Sequence, residues 1–163
     1  MNRNWGECVR NVDKLNEFYP GGIPSGPVVV RSVNLNRRGP AVVMRLDLAE
    51  FPAFPRPEWA EVGCDRIQCH VVFLDVADFR LERWSGAGEV ELAVTSLEPR
   101  RLRVLAEGTT VRCGFTSSDA LTVRHVSAYD STGEQEKQFF AGPLDRRKFT
   151  NRLPWIDERT FYG

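Results

Sequence analysis

Residues 37–84 read RRGPAVVMRLDLAEFPAFPRPEWAEVGCDRIQCHVVFLDVADFRLERW, and the spacing of apolar residues within them decides the fold class. After the turn signal Arg38-Gly39-Pro40, apolar side chains alternate at Val42, Met44, Leu46 and Leu48. A period of two is that of a pleated strand with one face buried. The following loop, Phe51 to Trp59, carries Pro52, Pro55 and Pro57. Proline fixes its own φ and has no ladder donor, so this segment is excluded from a sheet interior. Alternation resumes at Ile67, Cys69, Val71 and Phe73. Phe79 and Leu81 then follow a tight Asp75-Val76-Ala77-Asp78 turn, which reads as a hairpin.

Working outward, the same signature recurs. Val28 to Asn36 reads as a strand with Val33 and Leu35 as its inward pair, returning through Arg37–Pro40. Ser85-Gly86-Ala87-Gly88 reads as a hairpin turn. Beyond it, Val90, Leu92 and Val94 form one apolar row, Leu102 and Val104 a second, and Val111, Cys113 and Phe115 a third. Leu121 and Val123 continue that row, but the phase then slips to Val126 and Ala128. A one-residue slip marks a bulge or a change of buried face. Upstream, Val12, Leu15 and Phe18 recur at helical spacing, with Asn11 or Asp13 as the cap and Pro20-Gly21-Gly22 as the stop. The reading is mostly β: an antiparallel β-sandwich or open barrel of about eight strands, meander-like, with one short N-terminal helix.

The 163 residues are expected to form a single domain, with a core over 11–129 and a C-terminal extension over 130–163 that packs on the core or stays partly disordered. Acids and bases number 22 each. Zero net charge argues against a dedicated nucleic-acid binder, which would be basic. Cys8, Cys64, Cys69 and Cys113 form no CxxC pair, and His70 and His125 have no zinc-like spacing. Buried free thiols in a reducing cytoplasm are the expectation. No apolar run near the N-terminus has the length of a signal peptide or a membrane span, so a cytoplasmic chain without a membrane partner is expected.

The extension changes character. Phe139, Phe140, Phe149, Trp155, Phe161 and Tyr162 are scattered among Arg146, Arg147, Lys148 and Arg152. Such interleaving is compatible with stacking on single-stranded nucleic acid. From Ser131 onward, however, five acids face six bases, leaving only +1. Phosphate binding depends on positive charge in excess, so the favoured reading folds the aromatics over a sheet face or edge.

Reaction chemistry is sparse. His70 or His125 with Cys69 or Cys113 would be the only material for a thiol–histidine dyad, and ordinary sheet residues explain all four. Ser85–Gly88 lacks the helix and lysine of a phosphate loop. Asp75 and Asp78 are turn residues before they are calcium ligands. No catalytic residue, cofactor or metal is expected. The proline-laced loop carries more. Phe51, Phe54 and Trp59 either plug one open end of the sandwich, each contributing about 2 kcal/mol of burial, or present a stiff surface to a partner. Trp and Arg dominate interface hot spots. On the second reading the partner-binding residues are Phe54, Arg56, Trp59, Glu82 and Trp84. The alternative is a module for a small ligand or carbohydrate, with a pocket walled by Trp59, Trp84 or Trp155.

One ordered set of residues says more than periodicity. It runs through Leu15-Asn16-Glu17-Phe18-Tyr19, Pro24-Ser25, Arg38-Gly39-Pro40, Arg45-Leu46-Asp47-Leu48, Phe51-Pro52 and Pro57-Glu58-Trp59. It continues with Ile67-Gln68-Cys69-His70-Val71 and Val76-Ala77-Asp78-Phe79-Arg80-Leu81-Glu82-Arg83-Trp84. From residue 11 to about 129 the chain resembles the Imm50 family of bacterial immunity proteins. That resemblance implies a small cytoplasmic antitoxin of a polymorphic toxin system. It would neutralise a cognate toxin protein by stoichiometric binding, with no catalytic residue of its own.

Overall fold

The computed structural model describes residues 2–154 and 159–162. The strands are β1 (Asn2–Arg3), β2 (Val28–Asn36), β3 (Ala41–Asp47), β4 (Arg66–Phe73), β5 (Ala77–Trp84), β6 (Gly88–Leu97), β7 (Arg101–Glu107), β8 (Val111–Ser118), β9 (Thr122–Tyr129) and β10 (Phe139–Phe140). Short helices interrupt them: α1 (Asp13–Asn16), α2 (Pro57–Glu61), α3 (Pro143–Phe149) and α4 (Arg159–Tyr162), with a 3₁₀ turn at Trp5–Cys8. The named strands pair antiparallel in the order β10-β9-β4-β3-β2-β6-β7-β8-β5, with β1 beside β6. The sheet does not close into a barrel.

The sheet turns over at β6. Gly88–Val90 pair with Val28–Val30 of β2, while Glu91–Leu97 pair with β7. One strand therefore belongs to two layers, which face each other across a common core. Val42, Met44, Leu46, Val71 and Phe73 of the first layer share that core with Val104, Ala106, Val111, Cys113 and Phe115 of the second. The Phe73 and Phe115 rings meet edge to face at 5.0 Å, the offset geometry that aromatic quadrupoles prefer.

Two connections bridge the layers, and both correct the sequence reading. The residues after Phe73 do not form a hairpin with β4; β5 pairs with β8 instead. Leu74–Val76 cross to the opposite layer, as do Asp119–Leu121 between β8 and β9. The two crossings meet where Ser118 N–H donates to the Leu74 carbonyl at 2.9 Å. A tight turn between two strands fixes their ends, not their pairing. Here Phe79 settles the matter by stacking on Phe115 at 5.9 Å. Likewise Ser85–Ala87 join strands that are not neighbours, so they too are no hairpin. They pass over the β7–β8 turn, where Ser85 N–H donates to the Thr110 carbonyl.

The expected slip in the last long strand is a bulge. Between pairs Gln68–Ser127 and His70–Arg124, β9 spends one residue more than β4, and His125 takes φ 52°. A second bulge lies at Arg31, between pairs Val30–Leu46 and Ser32–Arg45. It keeps Val33, one of the expected inward pair of β2, on the core side, where it pairs with Met44 and packs against the core; Leu35 alone departs from that reading. Val28 and Val30 are buried, Val33 is half-buried, and Leu35 is 61% exposed near the strand end. The N-terminal helix is shorter than the spacing predicts, and no side chain caps it. Asn11 instead brackets β9, its amide donating to the Val123 carbonyl and its carbonyl oxygen accepting from Val123 N–H, each at 2.8 Å.

The crossing at Ser85–Gly88 leaves no room at the turn beneath it. A Cβ on Gly108 would lie 2.1 Å from the Glu89 carbonyl oxygen, whereas a Cβ on Gly21 would meet nothing within 4 Å. Gly108→Ala is therefore expected to destabilise the protein by about 2 kcal/mol through overpacking. Gly21→Ala should change stability by less than about 0.5 kcal/mol, as surface substitutions do. Urea unfolding of both variants checks this, and equal midpoints would refute the crowding.

Candidate functional site: the covered polar face of the first layer

Alternation along β3 sends Val42, Met44 and Leu46 into the core and Val43, Arg45 and Asp47 to the opposite face. In a half-exposed antiparallel sheet that second face would be wet. Here all seven β3 residues are buried. The cover comes from the C-terminal extension. Phe140, Phe149, Phe161 and Tyr162 form a second apolar cluster with Val43 and Val72. The aromatics thus fold over a sheet face, the reading favoured for the tail. Trp155 lies outside the described residues.

Beneath that cover the cross-strand pairs are Val43–Val72, Arg45–His70 and Asp47–Gln68. Asp47 has no exposure at all. Its carboxylate accepts from Arg31 Nη2 at 2.6 Å and Nε at 3.0 Å, from Gln68 Nε2 at 2.7 Å and from the Tyr129 hydroxyl at 2.6 Å. Arg31 Nη2 also donates to the Tyr129 oxygen at 2.8 Å. Burial and the neighbouring carboxylate both push the Tyr129 phenol well above its ordinary pKa. This buried charge is matched by several charge-assisted bonds.

Arg45 is treated differently. The residue is 2% exposed, and no hydrogen-bond acceptor among the described residues reaches its Nε, Nη1 or Nη2. Its guanidinium lies 4.9 Å from the Phe161 ring centroid. Burial lowers its pKa to about 10, so it remains cationic at neutral pH. A desolvated cation–π contact contributes about 2 kcal/mol, whereas burying an ion costs several kcal/mol. The ring alone does not offset that cost. A cavity of about 680 Å³ opens beside it, lined by Arg31, Arg45, Gln68, Tyr129, Arg152 and Tyr162 among others.

His70 packs against Phe161 and Tyr162 at centroid distances of 4.1 and 4.8 Å and against His125 at 5.2 Å. Burial, and Arg45 beside it, hold its pKa far below the ordinary imidazole value, so it is neutral. His125 Nδ1 lies 3.0 Å from Asp145 Oδ1 of α3. Neither imidazole meets a thiol in a hydrogen bond among the described residues. Cys69 adjoins His70 in sequence and therefore faces the other side of the strand. It lies in the main core, where burial pushes its pKa up to about 12, and burial raises that of Cys113 to about 11. All four cysteines are buried and unpaired. Among the described residues no group of three His, Cys, Asp or Glu side chains is arranged to hold a metal.

The residues singled out for a partner fall into two groups. Phe54 is 89% exposed, whereas Trp59 is 1% exposed and packs on Phe18 at 4.8 Å. Trp59 thus plugs the core, and the loop offers Phe54 alone of its large aromatics. Arg56 donates to both Glu17 carboxylate oxygens at 2.8 and 2.9 Å and to the Ala141 carbonyl at 2.9 Å, clamping the loop beside β10. Glu82 and Trp84 lie on β5, at the other end of the strand order. Glu82 pairs with Arg112, and Trp84 is 42% exposed. It follows a register shift in the β5–β8 pairing. Trp59 and Trp84 therefore do not converge on one pocket, and neither lines the cavity beside Arg45. Sequence reading missed Arg45, Asp47, Gln68, Tyr129 and Arg31. The available signal was a polar row, Arg45 and Asp47, in a strand of otherwise apolar residues.

The family model described as Immunity protein 50 (Imm50) matches residues 11–129. The chain belongs to the Imm50 family. No curated protein and no solved structure matches it. The Imm50 match spans β2 to β9 and ends before β10, α3 and α4. The Asp47 network thus lies wholly inside the matched region, whereas the aromatic cover over Arg45 and His70 lies outside it. Among the described residues no helix is long and apolar enough to cross a membrane.

Because Asp47 is the shared acceptor for three strands, Asp47→Ala leaves Arg31, Gln68 and Tyr129 donors unmatched. The expected loss is about 3–5 kcal/mol, against about 1–2 kcal/mol for Tyr129→Phe, which removes two hydrogen bonds but leaves Asp47 paired with Arg31 and Gln68. Denaturant unfolding followed by circular dichroism measures both, and a loss below about 1 kcal/mol for Asp47→Ala would show the network to be dispensable.

Proposed function

We propose that this Imm50 chain is the immunity component of a bacterial polymorphic toxin pair, acting in the cytoplasm. It binds a cognate toxin protein one to one and covers the toxin's working groove. The observation that carries this reading is the Imm50 match over residues 11–129. Immunity proteins of this kind are generally non-enzymatic, and protection by surface complementarity asks for a rigid scaffold with an open face.

The second layer supplies one. Unlike the first, its outer face has no described element packed over it, and β5 is exposed along most of its length. Arg80, Glu82, Arg103 and Arg112 frame a hollow of about 500 Å³ above Gly114, where the missing side chain opens the surface. Arg112 pairs with both Glu82 and Glu107. Mixed charge with a half-exposed tryptophan at the margin suits a specific contact, since aromatic and arginine anchors carry most interface energy. A neutral chain steers a partner through such a local pattern rather than through a net field. Glu82 is the proposed anchor there, and Trp84, half-exposed at the end of the same strand beside Val111, is the proposed anchor at the layer's edge. Phe54, exposed on the proline-laced loop, with the half-buried Arg56 two residues on, is a second candidate contact.

The test is co-expression with the toxin domain encoded beside it. An equimolar complex that abolishes toxin activity is expected. Trp84→Ala and Glu82→Arg should each weaken the complex at least about tenfold, as hot-spot truncations do, in variants that circular dichroism shows to be folded at the assay temperature. A toxin fully active beside equimolar protein rejects the immunity reading. Unchanged affinity in both variants moves the contact away from β5 and leaves the function standing.

A further inference from the structure

We propose that the cavity under the C-terminal extension is a binding site for a small oxyanion ligand, a carboxylate- or phosphate-bearing molecule whose anionic head pairs with Arg45. This site is independent of the toxin-binding reading and lies on the opposite layer.

The protein leaves two polar groups unmatched there. All three Arg45 nitrogens lack an acceptor among the described residues, and Gln68 Oε1 lacks a donor. Both residues line the cavity. Asp47, two residues along the same face, does not serve Arg45, because its oxygens are engaged by Arg31, Gln68 and Tyr129. Among the described residues the charged groups around the space are Arg31, Arg45 and Arg152 against Asp47 and Glu136. Three cations against two carboxylates leave one positive charge in excess, which a monoanion cancels. A guanidinium fork suits carboxylate and phosphate oxygens in a bidentate pair. Removal from water strengthens that pairing.

The remaining lining fixes the chemical class. About 680 Å³ lies within the size range of small-molecule sites. The free Gln68 oxygen asks for a hydroxyl or ammonium donor on the ligand. Tyr162 and Leu153 supply apolar wall from the extension. Arg152 is exposed at the rim, where it can draw an anion inward. The expected ligand is a small organic acid or phosphate ester that carries a hydroxyl or amine.

The full chain is melted in inorganic phosphate, in lactate and in chloride at matched ionic strength. Phosphate or lactate, each on the order of 10 mM, should raise the melting temperature by roughly 2–4 °C over chloride. The anion that acts distinguishes the phosphate source from the carboxylate source. Arg45→Met should abolish the rise, and Arg152→Ala should lower the affinity at least about threefold while preserving the fold. Should Arg45→Met fail to fold, the wild-type arginine Nε–Hε resonances decide: a shielded guanidinium signal moves on titration. The proposal is overturned if neither anion raises the melting temperature. It is equally overturned by a folded Arg45→Met that keeps the full rise, or by guanidinium signals that do not move.

Discussion

The carboxylate of Asp47, withdrawn from water on β3, is held by donors from β2, β4 and β9. Those four strands are consecutive in the first layer. A buried carboxylate left unmatched is costly enough to forbid alternatives. The register of the layer is thereby fixed, because a one-residue slip of any strand would send its donor to the other face. Both bulges follow the same demand. The extra residue at Arg31 aims a guanidinium at Asp47, and the extra residue near His125 restores Ser127 and Tyr129 to their partners across β4 and β3. The apolar core drives collapse, and this polar node selects one pairing among the strands that collapse permits.

The node also accounts for the state of Arg45. Two like-facing residues of opposite charge, two positions apart on a strand, would ordinarily satisfy each other. Asp47 is instead engaged by neighbours on both sides, and Arg45 faces Phe161 and the cavity. The layer therefore has one end where charge is matched by protein groups and one where a cation meets an aromatic ring. The aromatic cover lies over the Arg45 end. It also holds His70 neutral, since a protonated imidazole beside Arg45 would add a second unmatched cation.

Much of the architecture was legible in the residues. The period-two rows at Val42–Leu48, Ile67–Phe73, Val90–Val94, Leu102–Val104 and Val111–Phe115 locate strands, because one face of each is apolar and the pleat has a fixed period. The slip between Val123 and Val126 located the bulge at His125. Pairing was less legible. Phe79 and Leu81 follow a tight turn whether the chain returns beside β4 or crosses to β8, and only the stacking on Phe115 distinguishes them. The site was least legible. Arg45, Asp47, Gln68 and His70 are the polar half of two alternating strands, which is also the signature of a wet face. Their burial comes from Phe140, Phe149, Phe161 and Tyr162, far along the chain on elements of two to seven residues. Such short elements carry no periodicity to read. In the proline-laced loop, composition did not rank three aromatics; position does, with Trp59 in the core and Phe54 outside it.

The boundary of the Imm50 match separates two kinds of surface. Residues 11–129 contain the Asp47 node, both crossings and the open face of β5, β7 and β8. Any role that belongs to the family as a whole has to be carried by features within that span, which favours the uncovered second layer for partner contact. The cavity is different in kind. Arg45, Gln68 and Tyr129 form its floor from inside the match, but Arg152 and Tyr162 close it from outside. A ligand held there touches the scaffold and its cover together, so its binding free energy adds to the docking of the extension and leaves the opposite layer untouched. Occupancy of the cavity and engagement of β5 are on this geometry separable, since no described element links the extension to the outer face of the second layer.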